Sequence, residues 1–265
     1  MAVTEYLLDN RATVAGARFA ALSALFDDNT QRHVDALGIG TGAHCWEVGA
    51  GGPAMPHLLG QRVGPGGHVL ATDLDVSWID QVPPVVDVRR HDIAADELPT
   101  SRFDLVHARL VLTHVPQRSR ALRRMAAALR PGGWLLIEDF DVELQPLACP
   151  DPRNDDEIRA NRIRRGFIDL LERRGADVRY GRSLPTQLRE SGLVDIAADG
   201  YFPLAQPAAA RLEAANVIQV RDELIASGHA TAEELDAHLA AIASGHLDLA
   251  TPPLVSAWGR RTATA

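Results

Sequence analysis

The sequence predicts an α/β protein built on a largely parallel sheet with helices on both faces. Three observations carry this. Short apolar runs alternate with helical patterns from His44 to Phe140, and that rhythm implies right-handed crossovers between parallel strands. Glycine- and proline-rich turns fall at the junctions: Gly49-Ala-Gly-Gly-Pro53, Gly64-Pro-Gly-Gly67 and Pro131-Gly-Gly133. The 265 residues, 46% of them hydrophobic, suit one large domain or a domain with a small cap.

The elements follow in order. Ala17, Ala20, Ala21, Ala24 and Leu25 lie near one face of a helical stretch ending around Phe26. Asp28-Asn29-Thr30 offers N-caps for a second helix through Leu37, which Gly38 stops. Residues 44–48 read as a strand, 53–63 as a helix and 68–73 as the next strand. Residues 76–81 read as a short helix that Pro83-Pro84 breaks. Strands at 85–89, 103–108 and 134–140 follow, with a helix over 119–130 before the last of them. In the second half, 155–174 is an amphipathic helix, 183–191 a short helix and 193–201 a strand. Two alanine-rich helices, 208–226 and 231–244, precede a closing strand within 253–261. The expected division is an N-terminal helical cap (1–40), a sheet-bearing core (41–204 with 246–265), and a helical insertion (205–245) forming part of a substrate pocket.

Composition narrows the function. No window approaches 18 unbroken apolar residues, and Met1–Glu5 lacks a basic leader segment, so neither a membrane span nor a secretory signal is expected. Cys45 and Cys149 are too few for a disulfide scaffold and read as reduced thiols of a cytoplasmic protein. No Cys/His pair has ligand spacing, so no metal is expected. A formal charge of −8 argues against nucleic acid as a partner. All 27 basic residues are arginine, a compositional trait to which no chemistry is assigned.

The strongest local signal is Glu47-Val-Gly49-Ala50-Gly51-Gly52-Pro53 between a strand and a helix. Glycines let the backbone turn sharply and approach a ligand; the same text also fits an ordinary tight turn. Asp73 ends the next strand, where an acid meets the paired hydroxyls of a ribose or caps a helix, a role Asp75 fills equally. Leu74 beside it can cover one face of an adenine. After the third strand, Asp92 can accept from an adenine amino group while Ile93 packs on the ring, or Asp92 serves the turn alone.

Together with Phe103–Arg109 and Leu129-Arg-Pro-Gly-Gly-Trp-Leu-Leu-Ile-Glu138-Asp, these motifs resemble the class I S-adenosylmethionine-dependent methyltransferases. The likeness is to the ubiquinone/menaquinone-biosynthesis type and its small-molecule relatives, over roughly residues 30 to 141. It implies a Rossmann-like seven-stranded sheet, mostly parallel with an antiparallel last strand, and a helical cap. It also implies S-adenosylmethionine as cofactor and S-adenosylhomocysteine as product. By position, Gly49, Ala50 and Gly51 would approach the methionine part, and Glu47 would orient that loop or bind through water. Asp73 would hold the ribose, and Asp92 and Ile93 the adenine. The backbone at Ala108 and Arg109 would meet the methionine ammonium, and Tyr6 and Arg18 would reach the cofactor carboxylate or close the pocket. Pro53 stands where the family usually has a third glycine, which removes one N–H donor.

Two rival readings remain. Gly49-Ala-Gly51-Gly-Pro-Ala54 also satisfies the G-x-G-x-x-A dinucleotide fingerprint, which makes an NAD-dependent oxidoreductase the first rival. A chain without lysine has no Tyr-x-x-x-Lys proton relay. The second rival keeps the fold and binds the cofactor without methyl transfer, or catalyses a cyclisation.

The expected reaction is methyl transfer to an O, N or C atom of a small organic molecule, of the kind met in secondary metabolism. His114, just past the fourth strand, is the candidate general base; it equally reads as a helix-start residue. His107 reads as a core histidine. Arg109 binds cofactor or an acidic substrate, or pairs with Glu138. Glu138, Asp139 and Asp141 lack an opposing acid for a magnesium ion. The substrate is expected against the N-terminal helices, the 142–157 loop and the 205–250 helices, whose apolar faces would also let two chains pair as a homodimer.

Overall fold

The computed structural model describes residues 7, 8, 10, 14–99 and 102–263. Seven strands form one sheet in the order β3-β2-β1-β4-β5-β7-β6. They are β1 (His44–Val48), β2 (His68–Asp73), β3 (Val86–Arg90), β4 (Phe103–Arg109), β5 (Leu129–Phe140), β6 (Val194–Tyr201) and β7 (Leu254–Arg260). Strand β7 runs antiparallel to both its neighbours, β5 and β6, while the β3-β2-β1-β4-β5 ladder is parallel. The predicted fold class holds. Strand β1 shows why the centre is parallel: Cys45 and Trp46, on opposite faces, are both wholly buried, as a strand covered by helices on each side requires.

The helices are α1 (Ala15–Ala36), α2 (Ala54–Val63), α3 (Arg118–Ala128), α4 (Asp155–Arg173), α5 (Tyr180–Glu190), α6 (Pro207–Gln219), α7 (Arg221–Ala226) and α8 (Ala232–Ser244). Three expectations are corrected. The two N-terminal helices are one, because the Asn29 and Thr30 side chains do not cap a new start; they donate to Ser256 and Glu138. Residues 76–81 are not helical. There Asp75 Oδ1 accepts from Ser77 N at 2.9 Å, a local turn that competes with helix, and Gln81 has φ +50°. The 208–226 helix breaks at Val220 into α6 and α7.

The described residues divide into two compact units. The sheet unit comprises Phe26–Phe140, Arg179–Tyr201 and the chain from Leu254. Its sheet has a core on each face. Trp46, Phe103, Leu122, Met125, Leu135 and Ile137 pack with α3 and α5 on one side. Val34, Met55, Leu59, Val69, Leu105 and Leu136 pack with α1 and α2 on the other. The helical unit comprises the chain up to Leu25, Asp141–Val178 and Phe202–Pro253, around Ile163, Val220, Leu224 and Leu235. Thus 141–178, which the sequence division set with the sheet, groups with the helices.

Candidate active site

In a parallel sheet whose strand order reverses at β1 and β4, ligands bind outside the carboxyl ends of the strands. The sequence-predicted residues of the sheet unit lie at or beside those ends. At the end of β1 the chain turns on Gly49 (φ +69°) and Gly51 (φ +64°). A Cβ on Gly49 would stand 2.3 Å from Val111 Cγ2, so the turn passes against the β4 loop as only glycine permits. Gly49 N and Ala50 N both donate to Thr72 O, at 2.7 and 3.0 Å, and Gly52 N donates to Ala50 O at 2.6 Å.

Asp73 closes the turn from β2. Its Oδ2 accepts from Gly51 N at 2.9 Å and its Oδ1 from Asp75 N at 3.1 Å. The side chain is mostly buried, and desolvation pushes its carboxyl above the ordinary aspartate value against those amide hydrogen bonds. Leu74 beside it is 62% exposed. After β3, Asp92 Oδ1 accepts from Ala94 N at 2.8 Å, which fulfils the turn reading, and Ile93 is buried in the α3-side core.

Strand β4 delivers the rest. Ala108 is buried, and Leu110 just beyond Arg109 takes φ +58° while donating its N–H to Glu138 O at 2.8 Å. A branched residue in the left-handed region is strained backbone at the rim. The Arg109 guanidinium donates to Asp27 Oδ1 at 2.6 Å and Thr30 Oγ1 at 2.9 Å, so it pairs with α1 and not directly with Glu138. His114 ends a short 3-10 turn, Leu112–His114, and its N–H donates to Val111 O. Arg18 belongs to the helical unit, where it donates to Leu8 O and Asn10 Oδ1. Tyr6 lies outside the described residues.

Sequence reasoning missed a buried polar chain beneath the rim. Glu47 Oε2 meets His107 Nδ1 at 2.6 Å, and His107 Nε2 meets Glu138 Oε2 at 3.3 Å. Glu138 also accepts from Ser256 Oγ at 2.6 Å and from Thr30 Oγ1, and stands 3.5 Å from His33 Nδ1. All three central residues are buried. Burial opposes charge on His107, yet the Glu47 charge and the hydrogen bonds to both glutamates outweigh it and raise the imidazole to about 9. Burial likewise opposes charge on Glu138, but His107, His33 and Arg109 hold it well below the usual carboxylate range. One signal was in the sequence: Glu47, His107 and Glu138 each follow apolar residues near the end of a predicted strand.

Among the described residues, no cluster of three or more His, Cys, Asp or Glu side chains is placed to hold a metal ion. No helix there is long and apolar enough to cross a membrane.

The sheet order with its antiparallel β7 and the glycine turn locked to a β2 aspartate define a Rossmann-like α/β protein with its ligand rim at the strand ends. A family model described as a methyltransferase domain matches residues 20–197, more than half of the chain, and the chain belongs to that family. It is 32% identical over 151 residues to methyltransferase str2 of Strobilurus tenacellus, covering 55% of this chain and 51% of that protein. It is 26% identical over 123 residues to a ubiquinone/menaquinone biosynthesis C-methyltransferase of Hahella chejuensis, covering 43% and 49%. The chain thus spans about half the length of these curated relatives. The fold matches phosphoethanolamine N-methyltransferase 2 of Haemonchus contortus, solved with phosphomonomethylethanolamine and S-adenosylhomocysteine, at TM-score 0.60 and 14% identity. That match covers 99% of this chain and 60% of the other.

Proposed function

We propose that the chain binds S-adenosylmethionine at the β1–β2 rim and transfers its methyl group to a small organic molecule. One observation carries this reading: Asp73 is fixed to the Gly51 amide, while every amide of the turn is already engaged. Gly49, Ala50, Gly51 and Gly52 donate within the loop or to Thr72 and Asp73, and Pro53 and Pro56 have no N–H to give. A pyrophosphate is held by free amides of such a turn, and the engagement of these four counts against the dinucleotide reading. An adenosyl sulfonium instead brings hydroxyl, amino and ammonium donors, which suit acceptors such as the Asp73 carboxylate and strand-end carbonyls. The donor set fits the cofactor.

When bound, the cofactor supplies an electrophilic methyl group that needs no further activation. The protein's part is to bind, align and exclude water. Asp73 would accept from the ribose, the Gly49–Gly51 turn would bear on the methionine part, and Leu74 and Ile93 would lie on the adenine side. His114 takes the proton of a nucleophile that arrives protonated. The substrate is a small organic molecule, as is the phosphomonomethylethanolamine bound by the Haemonchus contortus neighbour, and the protein works in the cytoplasm. Equilibrium dialysis against S-adenosylmethionine and NAD tests the reading. Micromolar retention of the first alone is the expected result; retention of NAD alone would overturn it.

A further inference from the structure

The Glu47–His107–Glu138 chain is not explained by packing, and nothing in the proposed reaction uses it. Both ring nitrogens of His107 face carboxylate oxygens, at 2.6 and 3.3 Å. An ionised carboxylate only accepts hydrogen bonds, and a neutral imidazole has a single N–H. One of the two contacts would then set a nitrogen lone pair against a carboxylate in a water-free interior, which is strongly unfavourable. The arrangement is satisfied when both nitrogens carry protons. Glu138 accepts on its far side from Ser256 and Thr30, with His33 Nδ1 3.5 Å away, a setting that favours its ionised form.

The consequence travels to the rim through a chain of hydrogen bonds. Glu47 and His107 are register partners on β1 and β4. The Glu47 carbonyl accepts from Thr72 Oγ1 at 3.3 Å, and Trp46 Nε1 donates to the same hydroxyl at 2.9 Å. The Thr72 carbonyl in turn accepts the Gly49 and Ala50 amides. The side chain that fixes Glu47 therefore fixes the strand end on which the glycine turn is hung. We propose that His107 is a positioning residue: a buried imidazolium that clamps Glu47 to Glu138 across three strands and so sets the conformation of the cofactor turn. The ionisable groups around it are Glu47 on β1, Glu138 on β5 and His33 on α1, with Arg109 of β4 reaching Glu138 through Thr30. Of these, only the two glutamates touch the ring. This inference rests on the proposed cofactor reading for its functional meaning, but not for its test.

The test is nuclear magnetic resonance on the full chain with nitrogen-15-labelled histidine and backbone. His107 is expected to show two protonated ring nitrogens throughout pH 6 to 8, with a midpoint near 9. The Gly49–Gly51 amide resonances are expected to move with that same midpoint, and Glu138→Gln to lower it. A His107 midpoint below 7, or turn amides indifferent to its titration, would overturn the proposal. A second measurement compares S-adenosylhomocysteine affinity in the wild type and in His107→Gln. A loss of at least about tenfold, near 1.4 kcal/mol, with circular dichroism unchanged, is expected. Equal affinity overturns the positioning role and leaves the cofactor reading intact. Failure of the wild type to bind ends the cofactor reading, while the resonance titration still decides the clamp.

Discussion

Asp73 anchors the Gly51 amide with one carboxylate oxygen, and in the proposed site the same carboxylate would accept from a ligand hydroxyl. Asp73→Ala should therefore weaken S-adenosylmethionine binding by a hundredfold or more, of order 3 kcal/mol; calorimetry checks it, and unchanged affinity would remove Asp73 from the site. Gly49→Ala meets both a positive φ and Val111 at 2.3 Å. Its cost should be on the order of 1–3 kcal/mol in urea unfolding, with Val111→Ala relieving only the clash. His114→Ala should lower turnover while leaving cofactor affinity nearly unchanged, and equal turnover would dismiss it as the base. Gly49, Gly51 and Asp73 were legible in the sequence because each residue type suits a backbone or ligand demand stated by its immediate neighbours. His107 was not, because its meaning depends on register: Glu47 lies 60 positions away and Glu138 another 31, and no local pattern brings them together. Arg109 shows the same limit. Its sign and strand end were readable, but its partners Asp27 and Thr30 sit on a helix that the sequence divided in two.

Among the elements, periodicity located the strands well: β1, β2 and β4 are buried almost throughout, and Gly and Pro mark several strand ends. Helix ends were less secure where polar side chains have alternative partners. Asn29 and Thr30 look like caps and instead bind the sheet; Asp75 looks like a cap and instead closes a turn. Helix α2 is tied to the sheet by Leu59, which is wholly buried beside Val63, Val69 and Leu105. Leu59→Ala should cost about 2–5 kcal/mol, read as a lowered urea midpoint. A cost within 0.5 kcal/mol would mean that α2 is not held by this face.

For the whole molecule, the buried ion pairs set a pH profile. His107 is raised from 6.5 to about 9, so its stabilising contribution is complete below pH 6.5 and is lost as pH climbs from there to about 9. Glu138 is depressed below 4.5, and Glu213 of the helical unit is lowered to about 2, where burial is outweighed by Arg164 and His238. Their contributions are present above pH 4.5 and lost as pH falls below it. Thermal stability should therefore peak between about pH 4.5 and 6.5, and His107→Gln should flatten the alkaline limb; a wild-type melting temperature constant from pH 6.5 to 9 would argue against a charged His107. The proposed function requires the turn at Gly49–Gly51, closed by Asp73, to hold an adenosyl sulfonium cofactor. Its most direct test is calorimetric titration of S-adenosylhomocysteine into the wild type and Asp73→Ala side by side. Micromolar, one-to-one binding that is lost in the variant is the predicted result; no binding to the wild type, or equal binding to both, would contradict it.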